Sequence, residues 1–483
     1  MGKYILLSIV LGHFASMFAQ HVLSGKVTTQ AGEPLPGATI YCYELSKGTF
    51  SDSDGNFELS NLPAGKITVQ FSFVGYASQV QIVLMDENVK RIDVALHETA
   101  LEAEEVVVSG GYNATQHQTA VKIDVLNLDE KRRKISPNIM ETLSQVPGVN
   151  MISKGSGVAK PVIRGLSMND ILTLNNGVRI ENYQYSDHHP LGVNEFGIED
   201  VEIIKGPASL LYGSDAIGGV INFIREKPAP VGTLQGDYGL QLFSNSLGVV
   251  QNLGLKGASK DIFGGLRVGY VSHADYLQGG GDFVPNTRFN ESSLKANIGH
   301  AGRMGTFELF YDHNRHNIGL VEEESAEEID ERGRKPDIFY QRLDNQMLSS
   351  RNRLYFNRYK LQINAAYQDN KLSHIGEANE YEVEMRLRTL TYETKLHFPS
   401  DLYTEYILGF QGMNQWNDNL NDRETKLLPK AEIQNYSLFG LLQRTFFSKL
   451  KVQGGIRYDY KSLSTQAVGD PAVIDLFRPA LDK

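Results

Sequence analysis

Residues 201–222 read VEIIKGPASLLYGSDAIGGVIN. A β-branched run from Val201 to Ile204 breaks at Gly206-Pro207, resumes as the apolar triplet Leu210-Leu211-Tyr212, and re-enters a β-branched run through Gly218-Gly219. Proline removes a backbone donor and fixes φ, so Gly206-Pro207 closes one strand and the glycine pair opens the next. The spacing Gly213-x-x-x-x-Gly218-Gly219 lacks the Gly-Lys-Ser/Thr ending of a phosphate-cradling loop. These glycines therefore mark unusual dihedrals or close backbone approach.

Upstream, Ser136-Pro137 offers a helix cap and a proline at the first helical position. Ile139, Met140, Leu143 and Val146 then lay an apolar stripe on one face, and Pro147-Gly148 stops the helix. Two strand-like runs follow, Val162-Ile163-Arg164-Gly165-Leu166 and Leu172 to Val178, the second carrying an Asn176-Gly177 turn. Leu143-x-x-x-Pro147-Gly148-Val149, Ile163-Arg164-Gly165, Asn176-Gly177-Val178 and Val201 to Asn222 stand in one order along the chain. In that order they resemble the plug domain of a TonB-dependent outer-membrane receptor. The resemblance implies that Arg164 and the Glu202–Lys205 neighbourhood are plug-core polar groups facing a barrel wall, where buried charge needs partners.

Glu105-Val106-Val107-Val108-Ser109 is an acidic lead-in to a β-branched stretch, followed by Gly110-Gly111. On its residues alone it is a strand with no partner of its own, suited to adding to another protein's sheet edge, or an ordinary linker strand. The resemblance makes it the TonB box and implies the TonB-ExbB-ExbD complex as partner.

Residues 1–20 carry Lys3, an apolar run from Tyr4 to Leu11, and Ala15, Ser16 and Ala19 ahead of Gln20, the pattern of an export signal. From Val22 to Leu96, short alternating segments around Val27, Ile40, Phe57 and Val69 are separated by Pro34-Leu35-Pro36-Gly37, Asp54-Gly55 and Pro63-Ala64-Gly65. That is a small β-sandwich, and its motifs, Asp52-x-Asp54-Gly55-x-Phe57 and Gly75-Tyr76 among them, resemble the carboxypeptidase-regulatory-like domain. Asp52 and Asp54 suit calcium, but an Asp-Gly hairpin turn accounts for them without an ion. A sandwich of this kind ahead of a plug fits receptors of the Bacteroidetes type and reads as a spacer or docking module.

The chain has 483 residues, 47 basic against 57 acidic, and one cysteine, Cys42. A net charge of −10 argues against nucleic acid as a partner. A lone thiol excludes an internal disulfide, and past residue 20 no apolar run is long enough for a membrane helix. From residue 233 onward, eleven segments alternate at period two: 233–243, 246–257, 261–274, 289–300, 304–316, 345–356, 360–373, 383–397, 403–416, 433–445 and 449–462. Apart from the first connection, near Ser244-Asn245, short turns alternate with long loops, as in an outer-membrane barrel. Eleven is about half of a plugged barrel, and an odd number cannot close in the antiparallel way. The expectation is a truncated or split receptor.

The expected fold is mostly β. Residues 1–20 are a signal peptide and 21–98 the β-sandwich. Residues 99–118 are a linker with the TonB box, 119–231 an α+β plug, and 232–483 a partial transmembrane antiparallel barrel in outer-membrane lipid, with plug and sandwich on the periplasmic side. The function it implies is energised import of a scarce extracellular ligand, the alternative being an adhesin or surface-binding barrel without active transport. Histidines at the outer rim or plug apex, His188, His189, His273, His313, His316 and His374, suit zinc, copper or nickel. A metal ion, metal chelate or siderophore is thus the favoured cargo, with His188, His189, His313 and His316 as candidate ligands. Residues 321–331 add seven acidic side chains and no basic one. The plainer reading is scattered histidines and a solvated acidic face. No resident cofactor is implied, and the one His-x-x-Glu, His374-Ile375-Gly376-Glu377, falls in an expected loop and carries no catalysis.

Overall fold

The computed structural model describes residues 21–99, 106–107, 114–115, 122–128, 138–155, 157–183, 186–206, 209–213, 215–302, 304–321, 323–376, 380–401, 403–421, 426–447 and 450–466. The signal peptide, Ser136-Pro137, Pro207 and the last residues lie outside them. Among the described residues no helix is long and apolar enough to cross a membrane.

All eleven expected strands form, and they make one antiparallel sheet in sequence order from Leu234–Phe243 to Leu450–Thr465. Its sidedness is inverted relative to a soluble sheet. On Thr404–Asn419, Tyr406, Leu408 and Phe410 are 44%, 47% and 41% exposed, while Gln415 and Asn417 on the other face are buried. Apolar out and polar in is the pattern of a wall between lipid and a polar interior. The inner face wraps the plug: Arg225 pairs with Asp312, Gln368 donates to the Arg179 carbonyl at 2.8 Å, and Arg457 donates to the Leu211 carbonyl at 3.3 Å. The first and last described strands each pair on one side only. Both run the same way, so they cannot close on each other with antiparallel pairing.

The plug has a five-stranded sheet in the order Ile123–Asn127, Ile198–Ile204, Gly219–Arg225, Ile171–Asn175, Val178–Arg179, beside a three-stranded sheet ending at Leu166–Ser167. Leu143, Ile163, Val201, Ile203, Ile221 and Phe223 form its core. The helix Ile139–Leu143 buries Ile139, Met140 and Leu143 as expected. Its cap is Asn138, whose side chain accepts from the Glu141 amide at 3.1 Å, and not Ser136.

Residues 21–98 form the expected sandwich of two four-stranded sheets around Leu23, Ile40, Phe57, Val69 and Phe71. The Asp52 carboxylate accepts from the Asp54 and Asn56 amides at 2.9 and 2.8 Å, as a hairpin turn requires.

Candidate functional site

Two of the plug motifs are tight turns. Arg164-Gly165 joins Ile163 to its partner Leu166, and Asn176-Gly177 joins Asn175 to Val178, with φ positive at both residues of each pair. That geometry is the hairpin type in which Asn-Gly is favoured. It corrects the reading of Arg164 as a core group facing the wall: it sits at an exposed turn. Glu202 is a buried plug-core group, 1% exposed, with the Asn222 amide of the neighbouring plug strand 3.4 Å away. Lys205 bonds the Pro147 carbonyl at 2.5 Å and pairs with Asp124 at 2.7 Å. The Gly218-Gly219 pair is a close approach, because a Cβ on Gly219 would lie 2.4 Å from the Ile204 carbonyl oxygen and one on Gly218 2.8 Å from that of Asp170. Gly206 and Gly213 have positive φ, and Tyr212 packs on both the plug core and the wall.

Val106 and Val107 are in extended pairing with Thr115 and Ala114. The sequence suggested a strand without a partner in its own chain; the backbone finds one seven to nine residues downstream. Glu105, Val108 and Ser109 lie outside the described residues.

The histidines divide by strand parity. His313 and His316 are three apart on Gly305–Gly319, which puts them on opposite faces. His313 shares the outer face with Arg315, and both pair with Asp344. His313 and His316 therefore do not face one common site. His316 points inward, 3.2 Å from Glu291, which also accepts from Asn194 of the plug. His273 is a core residue, stacked on Phe289 at 4.6 Å and 2.7 Å from the Ser246 hydroxyl.

His188 and His189 do sit at the plug apex. His188 is half-exposed beside Asp187 at 3.3 Å, and its carbonyl accepts from Gln341 of the wall. His189 is 2% exposed and bonds the Tyr183 carbonyl through Nδ1 at 2.6 Å. Burial pushes its pKa down to about 4, so the ring is neutral at neutral pH. Its ring lies 5.6 Å, centroid to centroid, from His374 of the wall. The expected strand stopped at 373 and left His374 in a loop. The observed strand Tyr359–Ile375 carries it onto the same inward face as Gln368 and Asn370. Among the described residues no group of three or more His, Cys, Asp or Glu is arranged to hold a metal ion.

The long loops above this apex are locked. Asp275, fully buried, pairs with Arg288 at 2.5 Å and accepts from the Gly333 amide at 3.0 Å, tying 274–288 to 320–339. Cavities lie between plug and wall. One is lined by Arg179, Tyr212, Tyr392 and Arg457, and another by Glu199, Lys227, Arg267 and Arg351.

Comparison with known proteins agrees with this architecture. The family described as CarboxypepD_reg-like domain matches residues 23–108, and the TonB-dependent Receptor Plug Domain matches residues 115–220. The TonB-dependent receptor SusC of Bacteroides thetaiotaomicron is 32% identical over 237 residues, 46% of this chain and 23% of that receptor. The vitamin B12 transporter BtuB of Photobacterium profundum is 35% identical over 120 residues, 25% of this chain and 20% of that transporter. A solved structure of the ferric enterobactin receptor PfeA of Pseudomonas aeruginosa superposes with a TM-score of 0.58 at 16% identity, covering 71% of this chain and 58% of that one. The chain thus spans less than two thirds of the length of these relatives, which are receptors and transporters and not enzymes. The chain thus carries a CarboxypepD_reg-like domain and a TonB-dependent Receptor Plug Domain, followed by an antiparallel sheet whose fold resembles part of the barrel of TonB-dependent receptors.

Proposed function

We propose that the chain serves energised import across the outer membrane, with a metal ion or metal chelate as cargo. The observation that carries the cargo reading is the meeting of His189 on the plug with His374 on the wall, 5.6 Å between ring centroids, with His188 beside them. Two imidazoles sharing one tetrahedral ion at M–N ~2.0–2.1 Å stand roughly 5 Å apart between centroids, close to the spacing here. The Nδ1–H of His189 donates to the Tyr183 carbonyl at 2.6 Å, the kind of second partner that commonly orients a ligating histidine. Two histidines leave coordination positions for His188 or for donors the cargo brings. The cargo spans plug and wall, so its arrival alters how the plug is held. In this reading Val106 and Val107 leave their pairing with Thr115 and Ala114, and the segment Glu105–Ser109 adds to a strand of TonB on the periplasmic side, energised by ExbB-ExbD.

Titration of the purified full chain with zinc and with copper tests the cargo. Binding that disappears in His189→Ala with His374→Ala supports it, and absence of binding to the unaltered chain removes it. Replacing Val106 to Val108 by prolines separates transport from adhesion: import fails, whereas an adhesin keeps its surface binding.

A further inference from the structure

The N-terminal sandwich does not hang free of the wall. It touches residues at four successive short turns: Lys47 lies 3.9 Å from Asp261, the Glu44 carbonyl accepts from Thr306 and from Tyr355, Arg353 reaches the Tyr43 carbonyl at 2.7 Å, and Lys66 pairs with Glu405. The dock is built, because Ser46 takes a positive φ of 50° to present its hydroxyl to Glu308 at 3.0 Å and to Arg353 at 3.2 Å. Tyr355 of the wall is 5% exposed and completes the sandwich's own apolar core. The plug joins the same contact. Lys227, paired with Glu199, places its ammonium 5.8 and 5.7 Å from the ring centroids of Tyr41 and Tyr43, and Val231 donates to the Gly48 carbonyl at 3.2 Å. Tyr41, Tyr43 and Ser46 in turn line the cavity between plug and wall that Glu199, Lys227, Arg267 and Arg351 also line.

We propose that the sandwich is the floor of the lumen: docked, it closes this cavity at the short-turn end, and material in the cavity leaves by that end only after the sandwich undocks. The chain permits the movement, since the twenty residues 99–118 that join sandwich to plug reach up to ~66 Å when extended. The inference needs the wall topology and no particular cargo.

The test is the accessibility of a single thiol, Asn297→Cys in a Cys42→Ala background, which lines the cavity. It is labelled in the purified full chain with a bulky hydrophilic maleimide. Labelling that proceeds through a transient opening follows the open population, so weakening the dock speeds it. Arg353→Ala, Tyr43→Ala and deletion of residues 21–98 should each speed labelling about tenfold or more. A second reporter, Ser437→Cys, lines the cavity away from the sandwich and should keep its rate. Unchanged labelling of the Asn297→Cys thiol, or equal acceleration of both reporters in all three variants, overturns the proposal.

Discussion

His189 and His374, 185 positions apart in the chain, face one another across the boundary between plug and wall with ring centroids 5.6 Å apart. One belongs to the buried apex of the plug and the other to the inner face of the strand Tyr359–Ile375. Under the proposed import function, a ligand held by both is held by two parts that shift relative to each other.

Removing either ring should weaken zinc binding by the intact chain. Losing an outer-shell partner of a metal ligand already costs about 10–100-fold in affinity, so His374→Ala should cost at least that. His313→Ala, on the outer face, should leave the affinity unchanged. Calorimetric titration of the three proteins decides it, and equal affinities would assign the histidines to packing.

The outward apolar stripe of Thr404–Asn419 gives a separate test of the wall. An arginine on the lipid face of a barrel costs about 2–4 kcal/mol at mid-membrane. Leu408→Arg should therefore lower the fraction of chain recovered in the outer membrane, whereas on a water-facing sheet a residue already 47% exposed would tolerate the charge. Fractionation after expression distinguishes the two.

Much of this was legible beforehand, and the physics says why. Strand periodicity is local, so eleven alternating segments could be counted from the sequence, and turn chemistry such as Asn176-Gly177 depends on adjacent residues only. The His189–His374 meeting is non-local, and a two-residue error in a strand end moved His374 from wall to loop. Arg164 was misplaced because a family motif says that an Arg-Gly pair recurs, not that both residues sit in a turn with positive φ. The docking loop Tyr43 to Lys47 carries no periodic or motif signal at all. Its role emerges only when Arg353 is brought to its carbonyls.

Gly219 should tolerate no side chain. A Cβ there meets the Ile204 oxygen at 2.4 Å, and φ is +147°. Strain of this kind costs on the order of 1–3 kcal/mol. Gly219→Ala should make the plug easier to cleave by protease in folded chain, and Gly232→Ala, with open space around its Cβ position, should have a smaller effect.

The Glu199–Lys227 pair sets a pH dependence. Burial works to raise the Glu199 carboxyl, but Lys227 outweighs it and holds the pKa below the ordinary 4.5. A depressed carboxylate contributes stability above its unfolded pKa and loses it as pH falls through the folded one. Glu199→Gln should thus cost about 1–3 kcal/mol at neutral pH. The penalty should shrink below the ordinary carboxylate range, read from thermal unfolding of both proteins across pH.

The most direct measurement of the whole account is uptake of radiolabelled zinc by cells carrying the chain, with and without a protonophore, beside the same cells carrying Val107→Pro. Uptake that stops in both cases while zinc still binds the cell surface is the result expected of an energised plug receptor. Uptake indifferent to the proton gradient and to Val107→Pro would contradict it.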